Sequence, residues 1–198
     1  GIIALGLRED DRLIRVTLTD GNSQMLVASY NGKVVRFPED TVRPMGRTAT
    51  GVRAIKLDED GKDRVIGMIC VEQGSKDSVL VISEKGFGKR TLLDDENGEP
   101  IYRITNRGGK GVKTMNITDK TGNLIGLEAV NDDMDLMLIT KAGTAIRMAM
   151  DAISVLGRAT QGVKLIELQK RNDTLMFGCT VPKEEQEEVA ESEEVTTE

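Results

Sequence analysis

The chain has 198 residues, 38% apolar and 30% charged, which is enough to bury a core in one domain or two and lies in the range of a soluble globular protein. No apolar run approaches the ~18 residues of a membrane span, and no signal-peptide pattern opens the sequence, whose strand-like start GIIALGL reads as a piece of something longer. The net charge of −6 is local: the last sixteen residues, KEEQEEVAESEEVTTE, hold eight glutamates and one lysine, so the remaining 25 acids and 26 bases leave the body at +1. Residues 182–198 are expected to form an acidic disordered tail, and residues 1–181 the folded domain.

In chain order, the leader (1–24) carries IIALGL (2–7), which aligns with the closing strand of the units that follow. The first unit, about 25–71, runs through MLVAS (25–29), GKVVR (32–36), GRTATGVRAIKL (46–57) and VIGMICV (65–71). The second, about 79–130, repeats the order with VLVIS (79–83), GFGKR (86–90), NRGGKGVKTMNI (106–117) and LIGLEAV (124–130). The third, about 136–181, does so with LMLIT (136–140), GTAIR (143–147), GRATQGVKLIEL (157–168) and LMFGCTV (175–181). Every unit thus carries G-x-x-x-R and then R-x-x-x-G-V-[KR]. The two arginines are eleven residues apart in the first and third units and seventeen in the second, so LDDENGEP (93–100) holds a six-residue insertion. Short Val-, Ile- and Leu-rich runs bounded by Gly, Asn and Asp read as strands, and no helical period is sustained over three turns. Asp20-Gly21, Asp60-Gly61 and Asn97-Gly98 are turn dipeptides. Repeats of about fifty residues with four strands each predict an all-β, propeller-like fold of three blades plus a leading strand, incomplete as a ring.

Positive charge recurs once per unit. Residues 33–56 carry six bases and two acids, 85–113 seven and four, and 141–164 four and one, whereas 57–84 carries three and seven. The residues that repeat or flank the motifs are Arg36, Arg47 and Arg53; Lys89, Arg90, Arg107, Lys110 and Lys113; and Arg147, Arg158 and Lys164. Alternation directs Ile55 and Leu57, Met115 and Ile117, and Ile166 and Leu168 into the blade, with Arg53, Lys113 and Lys164 at the strand's start, where a charged head reaches solvent. A periodic cationic belt among glycines suits the phosphates of a long, regular polyanion. With 3% aromatic residues and no recognition helix, contact with the backbone of bent duplex DNA is expected in place of base stacking. Any one R-x-x-x-G-V taken singly also suits a turn whose arginine caps carbonyls.

SEKGFGKRTL, NRGGKGVKT and AISVLGRATQGVKLI followed by an acidic tail resemble the family of DNA gyrase A C-terminal domains, across essentially all of residues 1–181. The equivalent domain of topoisomerase IV is a weaker match. The resemblance implies a six-bladed β-pinwheel whose strands exchange between blades and whose basic rim wraps double-stranded DNA. It further implies a bacterial cytoplasmic, nucleoid-associated protein acting with the rest of the gyrase A protein and with the gyrase B protein, in an A2B2 holoenzyme that introduces negative supercoils. ATP and Mg would act through other domains, and this chain would need no cofactor. The family's Q-R-R-G-x-x-G box belongs to a blade that this sequence lacks. Its nearest match, Thr105 to Gly111 (TNRGGKG), keeps the glycine spacing and one arginine of two.

Other chemistry finds little support. The chain has no histidine, the commonest general base and metal ligand. Cys70 and Cys179 lack CxxC spacing and read as buried small hydrophobes in a reducing cytoplasm. DED (58–60) and NDDMD (131–135) lack the spacing of a calcium loop, and GFGK (86–89) lacks that of a nucleotide-binding loop. Tyr30 and Tyr102 read as structural or surface residues, not nucleophiles. The expected function is a non-catalytic DNA-wrapping module; a propeller-like protein-interaction platform is the rival, and the acidic tail is a candidate competitor for the cationic belt.

Overall fold

The computed structural model describes residues 1–168 and 173–183; the acidic tail expected from Pro182 onward lies outside the described residues except for Pro182 and Lys183. Eleven strands and two single 3-10 turns make up the regular structure of the described residues. The first blade contains β1 (Gln24–Ser29), β2 (Lys33–Pro38) and β3 (Val65–Val71). The second contains β4 (Ser78–Ser83), β5 (Phe87–Leu92) and β7 (Leu124–Val130), with the short β6 (Val112–Lys113) intervening in sequence. The third contains β8 (Met134–Thr140), β9 (Ala145–Ala149) and β11 (Leu175–Pro182), with β10 (Val163–Lys164) between.

Each blade begins with a hairpin whose turn is fixed by the glycine of G-x-x-x-R. Gly32, Gly86 and Gly143 donate their N–H groups to the carbonyls of Ser29, Ser83 and Thr140, each at 3.0 Å. All three have φ between +81° and +85°, a conformation open to glycine at little steric cost. Asp94 bridges Pro100 and the Asp95 N–H reaches the Glu99 carbonyl at 2.8 Å, so the insertion of the second unit is a small hairpin that leaves the blade intact.

The central strands explain the unbroken apolar runs. Every residue of β1 and β4 is buried. Val79 and Val81 face one core with Leu26, Ala28, Val34, Ile69 and Val71 of the first blade, while Leu80 and Ile82 face a second core with Leu136 and Leu138 of the third. Alternation within one strand therefore serves two interfaces, and the blades stack face to face, approaching most closely where β7 lies against β3 on one side and β11 on the other. Each such aliphatic side chain contributes roughly 1.5–3 kcal/mol on burial.

Strands exchange between repeats. The sheets run β3-β1-β2-β6, β10-β5-β4-β7 and β11-β8-β9. The G-V-[KR] segment of the second repeat thus completes the first blade, with Val34 opposite Val112, and that of the third completes the second, with Gly88 opposite Val163. The equivalent segment of the first repeat has no such neighbour among the described residues, and just beyond it Ile55 bridges to Gly109 of the second repeat. IIALGL differs from its expected strand for the same reason: it lies in residues 1–23, which contain no strand, and its contact with the body includes the Gly6 N–H on the Ala49 carbonyl at 3.3 Å.

The glycine of R-x-x-x-G-V enforces this exchange. A Cβ on Gly111 would lie 2.6 Å from the Val34 carbonyl oxygen, and one on Gly162 would lie 2.7 Å from that of Gly88; their φ angles are +71° and +77°. Gly51 has φ +83° with nothing within 4 Å. Gly162→Ala is therefore expected to lower stability by about 3 kcal/mol or more, since contact with a backbone carbonyl adds to a left-handed strain of about 1–2 kcal/mol. Gly51→Ala should show only the latter. Denaturant titrations of both variants check this, and equal losses would refute it.

Candidate nucleic-acid interface

The R-x-x-x-G-V-[KR] segments lie edge to edge. The Lys56 N–H of the first repeat donates to the Gly109 carbonyl of the second at 2.8 Å, and the Asn116 N–H of the second donates to the Thr160 carbonyl of the third at 2.9 Å. Arg47, Arg107 and Arg158 align, so these are the same bond made twice in the same register. The Arg158 guanidinium adds a bond to the Lys113 carbonyl at 2.7 Å, and Arg107 Nε one to the Thr41 carbonyl at 3.1 Å. Three motif segments from three repeats thus form one continuous border.

Along that border Arg47, Arg53, Lys110 and Lys113 are exposed, and their side chains make no hydrogen bond or ion pair among the described residues. Arg107 and Arg158 are half-buried, each using one donor on the carbonyl just described and keeping others for a ligand. Lys164 is exposed and paired with Glu167 at 2.6 Å, three residues away. Ile55, Met115 and Leu168 are buried behind these cations and Leu57, Ile117 and Ile166 partly so, as the alternation predicts.

The G-x-x-x-R arginines behave differently, and three expected contact residues are corrected here. Arg36 is buried and reaches out of the first blade to the Leu93 and Tyr102 carbonyls of the next repeat, at 3.2 and 3.1 Å, and to Asp94 at 2.7 Å. Arg90 is buried and repeats the pattern one unit on, donating to the Ile153 carbonyl at 2.9 Å and pairing with Asp132. Each ties its blade to the following loop, and neither offers its charge to solvent. Lys89 has no exposed surface: its ammonium donates to the Gly157 and Arg158 carbonyls, both at 2.6 Å, and to Thr160 Oγ1 at 2.9 Å. Arg147 is exposed and bonds Asp135 at 2.8 Å and the Pro182 carbonyl at 2.8 Å.

Two exposed cations of this region lie outside the expected set. Arg103 lines a groove of about 280 Å³ with Thr105, Asn106, Lys110 and the backbone of Val34 to Arg36. Arg43 borders a shallow hollow with residues 44–46 and 48–51. Arg103 stands four residues before Arg107 as Arg43 stands four before Arg47, but the third repeat has Ser154 in that place, so the signal is carried by two repeats of three. The tyrosines are structural: Tyr30 donates to Glu84 Oε2 at 2.9 Å with the Arg64 guanidinium 3.8 Å above its ring, and Tyr102 is buried with its hydroxyl 2.6 Å from Thr114 Oγ1.

This architecture matches that of known proteins. The profile of the family described as "DNA gyrase C-terminal domain, beta-propeller" matches residues 24–72, 77–131 and 135–177, and the chain belongs to that family. The DNA gyrase A subunit of Staphylococcus aureus strain MRSA252 is 44% identical over 196 residues, covering 99% of this chain and 21% of the relative; that of strain NCTC 8325 is 44% identical over 197 residues. The chain therefore spans about a fifth of the length of these relatives. Among solved structures, a DNA gyrase A C-terminal domain superposes with TM-score 0.77 at 24% identity, covering 91% of this chain and 58% of that one. The C-terminal domain of a DNA topoisomerase IV does so with TM-score 0.80 at 20% identity, covering 90% and 53%.

Two outcomes follow from the buried cations. Arg36→Met should lower stability by about 3–5 kcal/mol, because it leaves Asp94 and two carbonyls without their donor; thermal melts check this. Burial, with the neighbouring Arg158 charge, lowers the Lys89 ammonium from 10.5 to about 8. Between those values the unfolded chain holds a proton that the folded one has released, so stability rises with pH across that interval. Melting at stepped pH should show this rise in the native chain and not in Lys89→Met.

Proposed function

We propose that this chain is a non-catalytic DNA-binding and wrapping module of the DNA gyrase A protein, which bends duplex DNA along its cationic border and so supports ATP-dependent negative supercoiling by an A2B2 enzyme. The observation that carries this reading is the continuous border of three in-register motif segments, bearing Arg47, Arg53, Lys110 and Lys113 without protein partners among the described residues. A duplex presents one phosphate charge per ~1.7 Å of axis, and a row of cations fixed by backbone hydrogen bonds meets it without first ordering a loop. Bending 20–30 bp by 40–90° costs about 1–6 kcal/mol, so several such contacts act together. Arg107, Arg158 and Lys164 join the row with the donors left to them. The chain supplies no reacting group; bond breakage and ATP hydrolysis belong to other parts of the enzyme, which works in the bacterial cytoplasm on the nucleoid. The 44% identity to gyrase subunits favours gyrase over the topoisomerase IV domain, whose likeness is one of fold.

Changing Arg47, Arg53, Lys110 and Lys113 together to Gln should reduce the slope of log affinity against log salt by roughly 3.6, at about 0.9 for each phosphate no longer neutralised. An unchanged slope, measured by titration against duplex DNA, would instead favour a protein-interaction platform. The segment after Pro182 carries −7 and competes with DNA for the same border in this reading; deleting residues 183–198 should raise affinity at low salt, and no change would remove that role.

A further inference from the structure

The second and third motif turns are built differently beneath the same backbone. Val35 and Lys89 hold the same place: Val34 lies opposite Val112 and Gly88 opposite Val163, and the next residue outward points under the turn. Under the third turn this is the Lys89 ammonium, with the Gly157 and Arg158 carbonyls and Thr160 Oγ1 around it. Under the second it is Val35, and Gly109 stands where the third turn has Thr160, so both halves of the lysine–threonine contact are missing together. The groove of about 280 Å³ beside Val35, Asn106 and Gly109 occupies that region.

We infer that Lys89 is a positioning residue for DNA binding: clamped inside the Gly157–Thr160 turn, its ammonium fixes the orientation in which Arg158 meets the duplex, while the Asn106–Gly111 turn lacks an internal clamp and adapts. This inference rests on the DNA-wrapping reading. A protonated amine offers three donors to three oxygens, and charge-assisted bonds of this kind are about twice as strong as neutral ones. Arg158 is the charged group that acts on Lys89, and it also acts on the buried Tyr102 nearby. Loss of the Lys89 proton above about pH 8 relieves the burial of charge, which favours the fold as a whole, yet it weakens the hold on this one turn. Phosphate near Arg158 pulls the other way, so DNA binding takes up part of a proton in that range.

The test is DNA affinity as a function of pH at fixed salt, in the full-length gyrase A protein that carries this sequence. Native affinity should fall about three- to tenfold between roughly pH 7 and 9, the limit for one linked proton being tenfold per unit. Lys89→Met should bind several-fold more weakly at neutral pH and lose this dependence. Arg158→Ala should cost less in the Lys89→Met background than alone, whereas Lys110→Ala should cost the same in both. If Lys89→Met fails to fold, Thr160→Val carries the comparison, because removing one acceptor should move the midpoint of the decline to lower pH. Parallel pH profiles, an Arg158 effect independent of residue 89, or an unmoved midpoint in Thr160→Val would overturn the inference. Native protein that shows no salt-dependent DNA binding would overturn the wrapping reading itself, and the inference with it.

Discussion

Gly111 and Gly162 pass so close to the carbonyls of Val34 and Gly88 that no side chain fits between, and the arrangement of the border follows from that approach. It seats each motif segment on the blade before its own, as β6 on β2 and β10 on β5. Residues that follow the glycine by one or two positions are then held by a sheet ladder, and the turn before it abuts the previous turn. The cationic border is therefore a product of contacts between repeats, and a single repeat by itself would not present it.

The same exchange sorts the basic residues by role. Charges on the path between blades, Arg36 and Arg90, are consumed by carbonyls and carboxylates of the following repeat. Those on the outer turns stay wholly or partly exposed, because backbone bonds between neighbouring segments hold the turns and leave Arg47, Arg53, Lys110 and Lys113 without a partner among the described residues. Breaking a buried set removes stability, whereas removing an exposed one leaves the fold in place. Lys89 stands between the classes, buried like the first and acting on a residue of the second.

Much of this is legible in the sequence. Runs such as VIGMICV and LIGLEAV coincide with β3 and β7, and the turn glycines 21, 61 and 98 all have positive φ. The exchange of strands follows from the family resemblance alone, because a two-residue strand has no period and local pattern does not name its partner. Burial of Arg36, Lys89 and Arg90 is hidden for a different reason: composition reports a charge, but not whether a neighbouring repeat supplies oxygens to receive it. Arg103 and its equivalent Arg43 escape notice because the third repeat has Ser154 in that place, so the position does not recur in every unit.

The central claim is that the exposed motif turns are the surface the duplex covers. Lysine acetylation with and without bound duplex tests it most directly, read residue by residue. Lys110, Lys113 and Lys164 should be protected by DNA, while Lys76, on the exposed connection between β3 and β4, should stay reactive. Protection of Lys76 with the three border lysines still fully reactive would contradict the account.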